Sequence, residues 1–266
     1  MKYRLIVTDM DGTLLDENHH IPDDFWPLLD QLHDQGVVFA PASGRQLATL
    51  QHQFERSSSP LSYIAENGTV VFHEGDIVSL TTVDTAICHE IIETIEQRPD
   101  IDWGVVVCRA DGAFISRHDE KFLDECNIYY RKLTITDDLH AAIDSHVVKL
   151  AIYCFQDAET VGAPALEGRT GGLPITISGK HWIDLMQPDI NKGIALERLA
   201  ATMGIEITET LAFGDFLNDY ELVKAAGTSY AMANAHPKVK EVANHLAPSN
   251  ADHGVVTVLK ELLEHS

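Results

Sequence analysis

Residues 5–15 read LIVTDMDGTLL, an apolar run that ends in two aspartates, Asp9 and Asp11, separated only by Met10. Carboxylates this close repel, and at a strand end they are partly desolvated, so the pair costs stability unless a cation or a reaction uses it. One chemistry uses both. A carboxylate nucleophile needs a strand end to hold it still, a metal to offset the charge of an incoming phosphate, and a second acid group to protonate the leaving oxygen. Asp9 fits the first role and Asp11 the last. Gly12 permits the sharp turn that brings the backbone back past the site, and Thr13 can fix that turn by hydrogen bonds. An Asx-turn closing a strand is the plain structural alternative for the same residues.

Such groups need elements to position them. Strand-like runs at Leu5–Thr8, Val37–Ala40 and Leu211–Gly214 alternate with helical patterns, which predicts an α/β, doubly wound parallel sheet with crossover helices. Each run leads straight into polar residues: DMDGT, SGR at 43–45 and GDFLND at 214–219. Ligands of doubly wound folds bind at the carboxyl ends of strands, so the three endings should converge on one crevice. A helix is predicted from Lys192 to Met203, capped by Asn191 and stopped by Gly204, with Leu196, Leu199, Ala200 and Met203 on one face.

From about Val83 to Ser178 the pattern changes. A helix (TAICHEIIETIEQ) precedes a hairpin (WGVVVCRADGAFISR, its turn placed at Asp111-Gly112), then strands in HVVKLAIYCF and LPITISG with a helical segment between them. This predicts an antiparallel sheet carrying helices on one face, a second α+β domain inserted into the first. The expected division is a core of residues 1–82 and 188–266 and an insertion of 83–187. The segment ERSSSP at 55–60 reads as a surface loop.

The chain has 19 Lys plus Arg against 41 Asp plus Glu, a net charge of −22, which argues against nucleic acid or an anionic membrane as partner. Any anion it handles must meet locally concentrated positive charge. The apolar stretch after Lys2 and Arg4 is stopped by Asp9, too short for a signal peptide or a membrane span, so a cytoplasmic location is expected. Cys88, Cys108, Cys126 and Cys154 are widely spaced with no C-x-x-C pair and read as buried thiols. His19 and His20 sit in a polar loop and read as ordinary loop residues.

The four motifs DMDGT, SGR, NKG (191–193) and GDFLND stand in the order found in the haloacid-dehalogenase-like superfamily, which this sequence resembles. Taken singly, SGR reads as a helix cap and Lys192 as a solvated lysine. Together with the other two they form a pattern, and it is most similar to the Cof-type phosphatases with a type IIB cap. ENG at 66–68, KGIALERLAATMGI and NDYELVKAAGTSYAMANAHPKVKEVANHL extend the resemblance over most of the core. Leu222 and Val223 stand where a methionine is common, and Ala233 where a glycine is usual; all three lie outside the chemistry.

The resemblance implies a phosphoric monoester hydrolase. Asp9 would form an aspartyl-phosphate, and Asp11 would act as general acid and then as base for the hydrolytic water. Mg²⁺ would be held by Asp9, the Asp11 main-chain carbonyl and Asp215, with Asp219 supporting that shell. Ser43, the Gly44 and Met10 N–H groups, Asn218 and Lys192 would hold phosphate oxygens, with Thr13 and Arg45 in support. A lysine in the first turn of a helix sits at the wrong end of the macrodipole, at a cost of roughly 0.3–1 kcal/mol; a phosphate at the same spot would reverse that sign.

The expected partner is a small phosphorylated metabolite, sugar phosphates first and phosphorylated cofactors or nucleotides second, with no nucleic acid polymer, membrane or obligate protein partner. Arg45, Arg109, Arg117, His118, Lys149 and His181 are the candidates for contact with such a ligand. A phosphomutase or phosphotransferase is the nearest enzymatic alternative, since it shares Asp11; an ATPase of this superfamily would carry threonine there, and the dehalogenases lack the second aspartate. A non-catalytic sugar-phosphate or nucleotide sensor on the same fold is the alternative of another class.

Overall fold

The computed structural model describes residues 2–264. The chain enters on β1 (Leu5–Asp9), crosses by α1 (Phe25–Asp34) to β2 (Val38–Ala42) and by α2 (Leu47–Gln53) to β3 (Tyr63–Ala65), then folds back through β4 (Val70–His73) and β5 (Asp76–Leu80). It leaves this layer with α3 (Thr85–Glu96) and builds β6 (Trp103–Arg109), β7 (Gly112–Ile115), α4 (Glu120–Tyr129) and β8 (Leu133–Ile135). Next come β9 (Val147–Cys154), the single turn α5 (Ala163–Leu166), β10 (Ile175–Ile177) and β11 (Trp182–Leu185). It returns with α6 (Lys192–Thr202), β12 (Thr210–Gly214), α7 (Tyr220–Ala225), β13 (Thr228–Met232), α8 (Pro237–Val242), β14 (His245–Ala247) and α9 (Gly254–Glu264).

The first sheet has the order β14-β13-β12-β1-β2-β3-β4-β5 and is parallel from β14 to β3. Alternation along its strands decides which helices cover which face. Ile6, Phe39, Leu211 and Phe213 share a cluster with Phe25, Leu28 and Leu32 of α1 and Val255, Val258 and Leu259 of α9. Leu5, Val7, Ala40 and Ala212 pack instead with Ala195, Leu196 and Leu199 of α6 and Leu222 of α7. Both faces are thus buried, as a parallel sheet requires. Helix α6 starts and stops as its sequence predicts: the Asn191 side chain accepts the Ile194 N–H at 2.9 Å, and Gly204 ends it at φ +61°. The edge departs from the all-parallel expectation, because β4 and β5 run antiparallel. Only residues 66–69 link β3 to β4, far fewer than a parallel crossover needs.

The second sheet, order β10-β11-β9-β6-β7-β8, is antiparallel except for the β7–β8 pair. Two expectations change here. The hairpin turn falls at Ala110-Asp111, since Gly112 is already paired with Arg109 in the ladder. Helices also cover both faces. Strand β6 is apolar on each side: Val105 and Val107 pack under Ile91, Ile92 and Ile95 of α3, while Val106 and Cys108 share the other side with Phe122 and Cys126 of α4. A layer of helices on one side would have left Val106 and Cys108 wet.

That second face looks toward the first sheet. The end of α4 is seated on the start of α2, where the Tyr129 carbonyl accepts the Gln46 N–H at 3.1 Å and the Thr49 hydroxyl at 2.9 Å. The Gln46 side-chain oxygen accepts the Lys132 N–H at 2.8 Å. The inserted unit is therefore closed over the carboxyl ends of β1, β2 and β12. Among the described residues, no helix is long and apolar enough to cross a membrane.

Candidate active site

Strands β12, β1, β2 and β3 are neighbours, so their carboxyl ends deliver Asp215, Asp9, Ser43 and Glu66 to one place. Lys192, the first residue of α6, is fully buried there, its Nζ 2.5 Å from Asp9 Oδ1 and 2.7 Å from Asp219 Oδ1. Asp219 turns its other oxygen to the N–H groups of Asp215 (3.0 Å) and Phe216 (3.2 Å), which pins the loop after β12. Thr13 donates to Asp215 Oδ1 at 2.9 Å. Gly12 makes the turn at φ +75°, and any side chain on it would run into the Asp215 carboxylate.

Carboxylate oxygens of Asp9, Asp215 and Asp219 lie within 4.8 Å of one another. Burial and the Asp219 charge push Asp9 up to about 7, despite Lys192. Asp215 is pushed well up by burial and then by Asp9 and Asp219. Burial works against charge on Lys192 too, but Asp219 and Asp9 outweigh it and keep the ammonium protonated. One ammonium paired with two buried carboxylates, with the half-buried Asp215 beside them, leaves room for a hard cation.

Above this group lies a cavity of about 270 Å³ lined by Asp9, Asp11, Asp215, Ser43, Gly44 and Asn218, among others. The Ser43 hydroxyl accepts the Arg45 N–H at 3.2 Å, and Asn218 donates to Asn67 Oδ1 at 3.0 Å. The Met10 side chain is wholly buried in the core, so only its backbone is at the strand end. Lys192 meets the cavity through Asp9 rather than directly.

Asp11 is held by Arg45, whose Nη2 lies 2.6 and 2.8 Å from its two oxygens, while His19 Nδ1 is 3.3 Å from Oδ1. Burial alone would raise the Asp11 carboxyl, but the His19 hydrogen bond and the Arg45 guanidinium more than offset it and lower it. Arg45 is itself 1% exposed, donates to the Ile128 carbonyl at 2.6 Å, and lies 4.8 Å over the Tyr129 ring. In this closed arrangement Asp11 is an ionised group tied to α4. To give up a proton it must leave the Arg45 fork.

Of the other cations singled out in the sequence, Arg109 pairs with Asp111 and Asp144, and Arg117 with Asp102 and Asp119. His118 meets the Ser116 carbonyl and His181 the Cys154 carbonyl, and none of these four lines the cavity. Lys149 does line it, 1% exposed on β9. Its Nζ donates to the Gly44 carbonyl at 2.8 Å and forms ion pairs with Glu66 Oε2 at 2.9 Å and Asp184 Oδ1 at 3.2 Å. Asn67 closes the group, donating to Asp184 and accepting from Asn218.

Glu66, Asn67 and Asp184 were not singled out from the sequence as site residues. Glu66 and Asn67 hold left-handed backbone at φ +51° and +55°, and Gly68 follows at φ +103° against the Asn191 carbonyl. Such conformations persist only where the surroundings enforce them. A signal was present: Lys149 interrupts VVKLAIY and Asp184 interrupts WIDLM, two buried runs where a lone charge needs a partner. Lys149→Met should cost about 3–5 kcal/mol in urea unfolding, because Glu66 and Asp184 would be left buried without a cation. Adding Asp184→Asn to that variant should recover part of the loss; a single variant as stable as the wild type would contradict the pairing.

Comparison with known proteins bears on what such a site does. The family profile described as haloacid dehalogenase-like hydrolase matches residues 6–259. The chain is 29% identical over 268 residues to the 5-amino-6-(5-phospho-D-ribitylamino)uracil phosphatase YbjI of Escherichia coli K12, covering 100% of this chain and 98% of that protein. It is 29% identical over 243 residues to an HMP-PP phosphatase of Yersinia pseudotuberculosis, covering 90% and 87%. Among solved structures it is similar to SMU.1108c from Streptococcus mutans UA159, with a TM-score of 0.88, 26% identity and coverage of 98% and 99%. The family profile spans nearly the whole chain and both relatives are phosphatases: the chain belongs to the haloacid dehalogenase-like hydrolases, among the phosphatases of that family.

Proposed function

We propose that the enzyme hydrolyses small phosphate monoesters through an aspartyl-phosphate on Asp9, with Mg²⁺ bound beside it. The observation that carries this reading is the setting of Asp9. It is the last residue of a central strand, one oxygen is held by Lys192, and it lines a cavity shared with Ser43, Asn218 and Asp215. Asp9 Oδ2 attacks phosphorus, the ester P–O bond breaks, and Asp11 gives its proton to the leaving oxygen. Asp11 then takes a proton from the water that opens the acyl phosphate, which returns Asp9 and releases inorganic phosphate. Ser43, the Gly44 and Met10 N–H groups and Asn218 orient the phosphate oxygens, with the Lys192 charge acting on them from behind Asp9, while Thr13 and Asp219 hold the loops that carry them.

The all-oxygen donor set suits Mg²⁺, which Asp9, the Asp11 main-chain carbonyl and Asp215 would hold with Asp219 in support. When bound, the ion supplies charge that offsets the phosphate dianion beside these carboxylates. The substrate must fit under the insertion, proposed as a cap of residues 83–187 on a core of 1–82 and 188–266. The cavity is just below the roughly 300–1,000 Å³ of common ligand pockets, which favours small metabolites over phosphoproteins. The Escherichia coli and Yersinia relatives, both phosphatases of phosphorylated small molecules, support the same class.

The test is a phosphate-release screen with Mg²⁺ over sugar phosphates, nucleotides, phosphorylated cofactors and a folded phosphoprotein. Turnover of several small esters and none of the phosphoprotein is expected. Efficient phosphoprotein dephosphorylation with no small ester accepted would overturn the reading.

A further inference from the structure

We propose that Lys149 of the inserted unit is a positioning residue for phosphate: through the Gly44–Arg45 peptide it aims the Ser43 hydroxyl, which ties phosphate affinity to closure of that unit over the core. The proposal rests on the phosphatase reading and adds to it a residue that acts on phosphate from behind the turn at the end of β2. The three carbonyls of that turn are all claimed on one side. The Asn67 N–H donates to the Ser43 carbonyl at 2.9 Å and the Glu66 N–H to the Arg45 carbonyl at 3.0 Å. Those two donors come from the pair held in left-handed backbone. The carbonyl between them, that of Gly44, takes its donor from the inserted unit, Lys149 Nζ at 2.8 Å.

The cavity side of the turn is the complement. The Ser43 N–H is used by the Ile64 carbonyl at 2.9 Å, and the Arg45 N–H by the Ser43 hydroxyl oxygen at 3.2 Å. Among the described residues, neither the Gly44 N–H nor the Ser43 hydroxyl proton has an acceptor, and both residues line the cavity. The Gly44 carbonyl and the Arg45 N–H belong to one trans peptide and point in opposite directions. Lys149 and Ser43 therefore sit at the two ends of a single chain, ammonium to carbonyl and N–H to hydroxyl oxygen. Bonds linked in this way polarise one another. A hydroxyl that accepts from Arg45 keeps its own proton to donate, and a phosphate oxygen in the cavity is its acceptor. Lys149 does not act here as a charge. Glu66 Oε2 and Asp184 Oδ1 face the same ammonium, so the buried group carries no net positive charge to attract an anion. What reaches the phosphate is the orientation of the turn. Because Lys149 stands on β9, the chain is complete only with the inserted unit seated, and by reciprocity phosphate on Ser43 holds that unit in place.

The test is a double-mutant cycle between Lys149 and Ser43, read by calorimetry as the dissociation constant of inorganic phosphate with Mg²⁺ present, which needs no turnover. Since Lys149→Met alone strands two buried carboxylates, all four proteins of the cycle carry Asp184→Asn. With Lys149 in place, Ser43→Ala should weaken phosphate about tenfold or more, on the scale of a hydrogen bond to a charged group. In the Lys149→Met background the same change should weaken it no more than about threefold. A charge acting at a distance, or a general loosening of the fold, would leave the Ser43→Ala effect the same in both backgrounds. Equal losses overturn the proposal, as does a Lys149→Met protein whose phosphate affinity is unchanged. A second readout uses no Lys149 variant: hydrogen exchange of the Lys132 amide, which donates to Gln46 across the contact between the two units. Saturating phosphate should slow that exchange in the wild type at least about threefold more than in Ser43→Ala, the same coupling seen from the other side. Equal slowing overturns the proposal. Wild-type enzyme that releases no phosphate from acetyl phosphate overturns the phosphatase reading itself, whereas an active wild type with an additive cycle overturns only the role of Lys149.

Discussion

Asp9→Asn should lower turnover by about three orders of magnitude or more and leave the fold in place, the scale seen when a nucleophile is removed from a working catalytic unit. The amide is isosteric, and its oxygen can still accept from Lys192, so the strand end and the Lys192–Asp219 pair keep their geometry. What is lost is the negative oxygen that attacks phosphorus. The variant should also be no less stable than the wild type when both are stripped of metal. Burial and the Asp219 charge raise Asp9 to about 7, so its ionised form is held at a cost that the amide does not bear. Phosphate release and thermal unfolding of the two purified proteins in chelator check both statements. A variant that kept a tenth of wild-type activity would rule out covalent catalysis at Asp9.

The parts of this molecule that sequence reveals are those in which one residue type has few reasons to be where it is. Two aspartates ending an apolar strand, a lysine opening a helix and a second acidic cluster after a late strand each violate a local preference. The structure brings Asp9, Lys192, Asp215 and Asp219 within hydrogen-bonding or ligand distance, where the violations offset one another. Contacts between the inserted unit and the core were not legible in the same way. Arg45 and the Ile128 carbonyl are 83 residues apart, as are Lys149 and Glu66, and both contacts exist only because α4 and β9 are laid over α2 and β3. Arg109 and Arg117 look as available as Lys149 in the sequence, yet each is used by nearby aspartates. The antiparallel β4–β5 edge and the placing of α4 on the inner cap face follow from loop length and from apolar residues on both sides of β6. Both were open to a reading that asked what each strand face must bury.

Stripping the enzyme of metal should abolish activity, Mg²⁺ should restore it, and Ca²⁺ should restore little, since its larger and looser shell misplaces the phosphate for in-line attack. The same ion should change how stability depends on pH. Asp9 and Asp215 hold their protons to higher pH in the folded chain than the ordinary carboxylate value of 3.8, because burial and mutual repulsion disfavour their charge. Between about pH 4 and about pH 7 the folded, metal-free chain therefore binds more protons than the unfolded one, and its stability falls as pH rises through that window. Mg²⁺ should oppose this by binding the ionised carboxylates and competing with protons for them. The gain in Tm on adding Mg²⁺ should accordingly be larger at about pH 8 than at about pH 5, and Asp215→Asn should shrink the difference. Equal gains at both pH values, or full activity after stripping, would mean that these carboxylates do not hold the ion and that Lys192 alone balances the phosphate.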